Sequence, residues 1–136
     1  MTKQQTIGVI GGGAWGTALA QIMARAGRDV LLWAREAEVV DAINAQHENV
    51  MFLPGVALDE RLKATQDIHA AAQRDIVLMV SPAQYTRVSL QQIKDDLSRG
   101  NVVVLCSKGI EVDSGKLLSD VAAEVIPDTP IAVLTG

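Results

Sequence analysis

Four glycines fall within six consecutive positions in Gly11-Gly12-Gly13-Ala14-Trp15-Gly16, and the residues on either side decide what such a stretch can fold into. Before it, Ile7–Ile10 is a short apolar run of strand length. After it, Trp15, Ala18, Leu19, Ile22, Met23 and Ala26 recur at i, i+3, i+4 spacing, which is one face of a helix. Gly27 follows that face, where a helix C-terminal glycine belongs. Gly11, Gly13 and Gly16 fit G-x-G-x-x-G, a pattern that is weak alone and gains meaning between a strand and a helix. In that setting Gly11 permits a tight turn, and Gly13 lets the backbone approach a diphosphate with no Cβ in the way. Gly16 lets the helix pack closely on the strand. The N–H groups at the helix start then face an anion. No Gly-Lys-Ser/Thr follows, which excludes a P-loop. NAD(H), NADP(H), FAD and other adenosine ligands remain open.

The rest of the chain alternates in the same way. Val30–Trp33 predicts a second strand, and Val39, Val40 and Ile43 mark a second helix. Asn49 to Leu58 reads as a loop turned at Pro54-Gly55. Asp67 caps a short helix through Ala72, and Ile76–Val80 is a buried strand. Ser81-Pro82 has the form of an N-cap and first helical residue, for a helix whose face is Leu90, Ile93 and Leu97 and which ends at Gly100. Val102–Leu105, a helix carrying Leu117, Leu118, Val121, Ala122 and Val125 up to Pro127, and Ile131–Leu134 complete the series. Continuous apolar strands imply that both sheet faces are covered. Strands alternating with helices imply right-handed crossovers and a parallel sheet. The expectation is an α/β fold, one doubly wound, mostly parallel, Rossmann-like domain over residues 1–136. The chain stops soon after a strand, at Thr135-Gly136, so a truncated protein is expected.

Composition narrows the function classes. A net charge of −4 gives no basis for non-specific nucleic-acid binding. The single cysteine, Cys106, lies in an apolar run and reads as a small buried hydrophobe, and no Cys/His spacing suggests a metal. The apolar runs are far short of the roughly 20 residues of a membrane helix. Lys3 followed by an apolar stretch ending at Ala20 imitates a secretory signal, but the glycines make it a poor apolar helix and the helical spacing runs on to Ala26. The chain therefore reads as cytoplasmic. His47 and His69 have no partner carboxylate implied by spacing and read as surface or loop-ordering residues. Asp59-Glu60 and Asp95-Asp96 read as solvated faces, and no nucleophile constellation is found.

The end of the second strand bears on the cofactor. NAD-binding units commonly place an acid about 20 residues on, to take the ribose hydroxyls. Here Trp33 and Ala34 stand at those places and Arg35 follows, 19 residues past Gly16. A guanidinium can grip a 2′-phosphate with a fork of donors and stack on adenine. That favours NADP(H), with NAD(H) second, because Glu36 can reach the ribose or neutralise Arg35.

The segments GGGAWGTALA, LWARE, NAQHENVMFLPG, SPAQY, SKGIE and AVLTG, in that order across nearly the whole chain, resemble the NAD(P)-dependent glycerol-3-phosphate dehydrogenases. The resemblance implies the N-terminal cofactor domain of an enzyme that reversibly reduces dihydroxyacetone phosphate to sn-glycerol 3-phosphate for phospholipid synthesis. It implies a helical C-terminal substrate domain, carrying the general acid–base lysine, that this chain lacks. It also implies a homodimer for the full-length enzyme, with no integral membrane segment. Ala14 and Trp15 match positions contacting the cofactor diphosphate; the family often has Ser or Asn where Ala14 stands, which leaves only a backbone contact. Arg35 matches the position at the adenosine end and Tyr85 a large residue near the cofactor. Lys108 matches the lysine at the cofactor–substrate junction, and Gly136 the first residue of a substrate-contacting segment. Ser81 and Thr135 stand where the family more often has other small residues, and no role is assigned to them. Lys108 also has a physical case. It follows a buried strand at the carboxyl edge of the sheet, where ligands of open α/β sheets bind. An ammonium there offsets charge developing on oxygen during hydride transfer.

Overall fold

The computed structural model describes residues 5–97 and 100–134. Its elements follow the alternation in the sequence: β1 (Thr6–Ile10), α1 (Ala14–Arg25), β2 (Asp29–Trp33), α2 (Ala37–Gln46), β3 (Lys63–Thr65), α3 (Ile68–Ala72), β4 (Ile76–Met79), α4 (Thr86–Ile93), β5 (Val102–Leu105), α5 (Leu118–Val125) and β6 (Ile131–Val133). The strands form one six-stranded sheet in the order β3-β2-β1-β4-β5-β6. Every neighbouring pair is parallel, with Ile7 beside Val30 and Ile76, and Val77 beside Val103. The chain direction of assembly reverses between β1 and β4, and this is the switch point at which such sheets bind ligands.

Helices cover both faces. On one, α1 and α2 bury Ala20, Ala24, Val39 and Ile43 against Val9, Val30, Leu32 and Leu78. On the other, α3, α4 and α5 bury Ala71, Leu90, Ile93, Leu118 and Ala122 against Ile10, Val77, Met79 and Val103. Strand side chains alternate between the two cores, so an apolar residue is needed at nearly every strand position. α3 lies so close to β1 that a Cβ at Gly8 would stand 1.8 Å from the Ala71 carbonyl oxygen. The C-terminus of α1 closes as a Schellman motif: Gly27, at φ 87°, donates its N–H to the Ala24 carbonyl, and Arg28 donates to Met23.

Several expectations change. β3 was not foreseen. Ala64 both donates to and accepts from the Asn44 carboxamide, at 2.9 and 3.0 Å, which fixes this short edge strand where apolar patterning is absent. Ser81-Pro82 is not an N-cap with a first helical residue: Pro82 is extended at ψ 147°, a 3-10 turn over Ala83–Tyr85 intervenes, and α4 starts at Thr86. β6 sits at the sheet edge with Val133 exposed, so it is covered less fully than its apolar run predicts. Asp59 is not a solvated acid; its carboxylate pairs with Arg61 at 2.8 Å. Asp96 likewise receives His69 at 2.5 Å and Gln73 at 3.1 Å, which gives His69 the carboxylate partner that its spacing did not imply. His47 orders a loop as expected: it ends α2 in the left-handed region at φ 55°, and its carbonyl accepts from the Leu58 N–H.

Candidate functional site

The parallel ladder runs past the strand ends and draws four loops to one edge. Gly11 donates to the Trp33 carbonyl, Val80 to Ile10, and Cys106 to Met79, at 2.9–3.0 Å. There the glycine loop closes on itself. Gly11 lies at φ 134°, a conformation that favours glycine, and a Cβ on it would meet the Ser81 N–H nitrogen at 2.9 Å. A Cβ at Gly16 would stand 2.1 Å from the Gly11 carbonyl oxygen, so α1 can start this close to β1 only with glycine there. Gly13 differs: nothing lies within 4 Å of where its Cβ would be. It is the N-cap of α1, and the first N–H groups of that helix have no helical acceptor ahead of them.

A cleft of about 850 Å³ opens over this loop. Gly11, Gly13, Ala14, Trp15, Gly16, Arg35, Tyr85 and Lys108 all line it. Trp15 and Tyr85 are about half exposed, so their rings wall the cleft more than they pack inward. Arg35, just past β2, and Lys108, just past β5, are exposed on opposite sides of the glycine loop. β1 and β4 separate those strands, so the two cations stand on lips about 14 Å apart at ~4.8 Å per strand. No ion pair joins Arg35 to Glu36 among the described residues. Gly136 and Thr135 lie outside the described residues.

Cys106 also lines the cleft but is 4% exposed, and burial pushes its thiol up to about 11, so it is no nucleophile at neutral pH. Among the described residues no group of His, Cys, Asp and Glu has the arrangement to hold a metal ion. Nor, among them, is any helix long and apolar enough to cross a membrane.

Asn49 is the residue that sequence reasoning passed over. It is fully buried, and its amide donates to the Gly12 carbonyl and to the Thr17 hydroxyl, both at 2.8 Å. Its side-chain oxygen accepts from the Phe52 N–H at 3.1 Å. The loop after α2 is thereby latched to the glycine loop, and Phe52 is carried to the cleft wall.

The resemblance noted in the sequence is borne out by comparison with known proteins. The family described as "NAD-dependent glycerol-3-phosphate dehydrogenase N-terminus" matches residues 6–136. The chain belongs to this family. It is 54% identical over 132 residues to the glycerol-3-phosphate dehydrogenase (NAD(P)+) of Caulobacter vibrioides, covering 97% of this chain and 40% of that protein. A protein of the same description from Paramagnetospirillum magneticum is 54% identical over 130 residues, covering 96% of this chain and 47% of the relative. Among solved structures, the glycerol-3-phosphate dehydrogenase of Coxiella burnetii superposes with a TM-score of 0.89 at 32% identity, over 98% of this chain and 41% of that one. The chain thus spans less than half the length of these dehydrogenases, and the shared part is their N-terminal region, with a Rossmann-like sheet.

Proposed function

We propose that this chain is the dinucleotide-binding domain, residues 1–136, of an NAD(P)-dependent glycerol-3-phosphate dehydrogenase, and that it holds NADP(H) in preference to NAD(H). The observation that carries this reading is the cleft itself: a helix N-terminus over an open Gly13 position, with Arg35 on one lip and Lys108 on the other. The empty space above Gly13 is where a diphosphate fits a cradle of N–H groups. Gly13, Ala14 and Trp15 would hold the diphosphate through the backbone, with Gly11 and Gly16 setting the turn. Arg35 would grip the 2′-phosphate with its fork of donors. Tyr85 would wall the cofactor.

The bound dinucleotide supplies a hydride for a ketone carbon. Lys108 would hold the oxygen or phosphate of dihydroxyacetone phosphate and offset the charge that grows on oxygen as it becomes sn-glycerol 3-phosphate. Gly136 would add a substrate contact. The general acid–base lysine belongs, on this reading, to a helical substrate domain outside this chain, so the chain alone binds cofactor and turns over substrate negligibly. The same reading takes the whole enzyme to be a cytoplasmic homodimer that serves glycerophospholipid synthesis and has no nucleic-acid partner.

Calorimetric titration with NADPH and NADH tests the cofactor assignment when repeated on Arg35→Ala. The expected outcome is a loss of about tenfold or more for NADPH, the value of a charge-assisted hydrogen bond or two, with NADH little changed. Equal losses for both cofactors would remove the basis for preferring NADP(H).

A further inference from the structure

The segment that carries Lys108 has no helix or strand of its own. Residues 107–117 run from β5 to α5 with only an isolated bridge between Ile110 and Leu117. Such a segment has no ladder to fix it, yet it must present an ammonium to a defined point. Its anchors come from the turn and helix after β4. The Gln84 carboxamide acts as a substitute strand: its NH2 donates to the Ile110 carbonyl at 3.0 Å, and its oxygen accepts from the Val112 N–H at 2.9 Å. One turn further on, Arg87 makes a fork to Glu111, Nε to Oε2 at 2.8 Å and Nη2 to Oε1 at 3.0 Å. Its remaining nitrogen pairs with Glu124 of α5 at 2.8 Å. Glu111 is tied from its own side as well: its backbone N–H donates to Lys116, its carbonyl accepts from Gly115, and its carboxylate accepts from the Ser114 hydroxyl. The hydrogen bonds from Arg87 and Ser114 hold that carboxylate down at about 2, so it stays ionised through the physiological range.

We propose that Gln84 and Arg87 are positioning residues that hold the 107–117 segment so that Lys108 faces the far end of the cleft from Arg35. This rests on the dinucleotide reading above. Gln84 adjoins Tyr85, which lines the same cleft, so one turn of chain supplies both the aromatic wall and the anchor for the lysine. Two-point pairing by Gln84 defines the height of the segment, and the planar Arg87–Glu111 fork defines its orientation. The backbone on the Arg35 side is fixed by other contacts, so damage to these anchors is felt at one end of the ligand only.

The test compares two probes on the purified chain: NADPH, which spans the cleft, and adenosine 2′,5′-bisphosphate, which reaches only the Arg35 half. In Gln84→Ala and in Glu111→Gln, NADPH is expected to bind about tenfold more weakly, the value of roughly one hydrogen bond to a charged group. The bisphosphate is expected to stay within about twofold, inside the usual scatter for sites that do not couple. In a Lys108→Ala background the same substitutions should have no further effect on NADPH, because they act through that lysine. Parallel losses for both probes, unchanged NADPH binding, or full additivity with Lys108→Ala would each overturn the proposal. A wild-type chain that binds neither probe would overturn the dinucleotide reading, and the inference with it. Glu111→Gln keeps the shape of the side chain, so it separates positioning from a general failure to fold.

Discussion

On the β1–β2 side of the cleft the backbone itself sets the geometry. Gly11 sits at a φ that favours glycine, Gly16 brings α1 against the Gly11 carbonyl, and Gly27 closes the helix behind them. On the β4–β5 side the chain between Cys106 and Leu118 is irregular, and the side chains of Gln84, Arg87 and Glu111 set its position. The difference is one of visibility as well as mechanics. A steric requirement leaves glycines at fixed spacing in the sequence. A hydrogen bond between side chain and backbone 26 residues away, such as Gln84 to Ile110, leaves no pattern at all.

The largest expected effect is on the backbone-defined side. Gly16→Ala puts a methyl 2.1 Å from a carbonyl oxygen that cannot swing aside. Destabilisation of about 1–3 kcal/mol is expected from the forced backbone shift. Dinucleotide binding should fall below detection, measured by thermal melting together with titration. A variant that melts and binds as wild type would show that the glycine loop is not the rigid half of the site.

Next in size is Asn49→Ala. It leaves the half-buried Gly12 carbonyl and the buried Thr17 hydroxyl without the Asn49 donors, at an expected cost of about 1–3 kcal/mol in urea unfolding. NADPH affinity should fall with it, because the latch holds the glycine loop and the Phe52 wall together. Loss of stability with full retention of affinity would make Asn49 a folding residue only.

The smallest effect belongs to a pair remote from the cleft. The Asp96 hydrogen bond and charge raise the pKa of His69. For Asp96, burial acts upward, but the hydrogen bonds from His69 and Gln73 outweigh it and hold the carboxyl below its ordinary value. The His69 contribution is complete below pH 6.5 and is lost as pH rises through its raised pKa. The Asp96 contribution is complete above pH 3.8 and is lost as pH falls through its lowered one. The gap in melting temperature between wild type and Asp96→Asn should therefore be widest between these values, narrow as pH rises through the raised His69 pKa, and narrow again as pH falls through the lowered Asp96 pKa. A gap that grows with alkaline pH would contradict the pairing. The pair is exposed on the histidine side, so the whole effect is modest.

These contrasts explain what was legible in advance. Apolar runs at β1, β2, β4 and β5 are unavoidable in a sheet covered on both faces, and they gave those strands and the parallel topology directly. The cleft residues Gly11, Gly13, Gly16 and Arg35 were legible because their spacing from a strand end carries meaning. β3 was not, because Lys63-Ala64-Thr65 is short and polar and is pinned by Asn44 from a neighbouring helix. The same holds for Asn49 and Gln84, whose partners lie far along the chain. Ser81-Pro82 misled because the pair fits a helix start locally. In the structure Ser81 carries the chain over the glycine loop first: it is 6% exposed, and its backbone nitrogen lies beside Gly11.

The central claim is that one nicotinamide dinucleotide spans the cleft from Arg35 to Lys108. Backbone amide shifts on titration with NADPH test it most directly. Saturable shifts are predicted at Gly11 through Gly16, at Arg35, at Tyr85 and at Lys108, with α3 and α5, which do not line the cleft, undisturbed. Saturation with shifts at only one lip, or with a footprint away from the glycine loop, would contradict it.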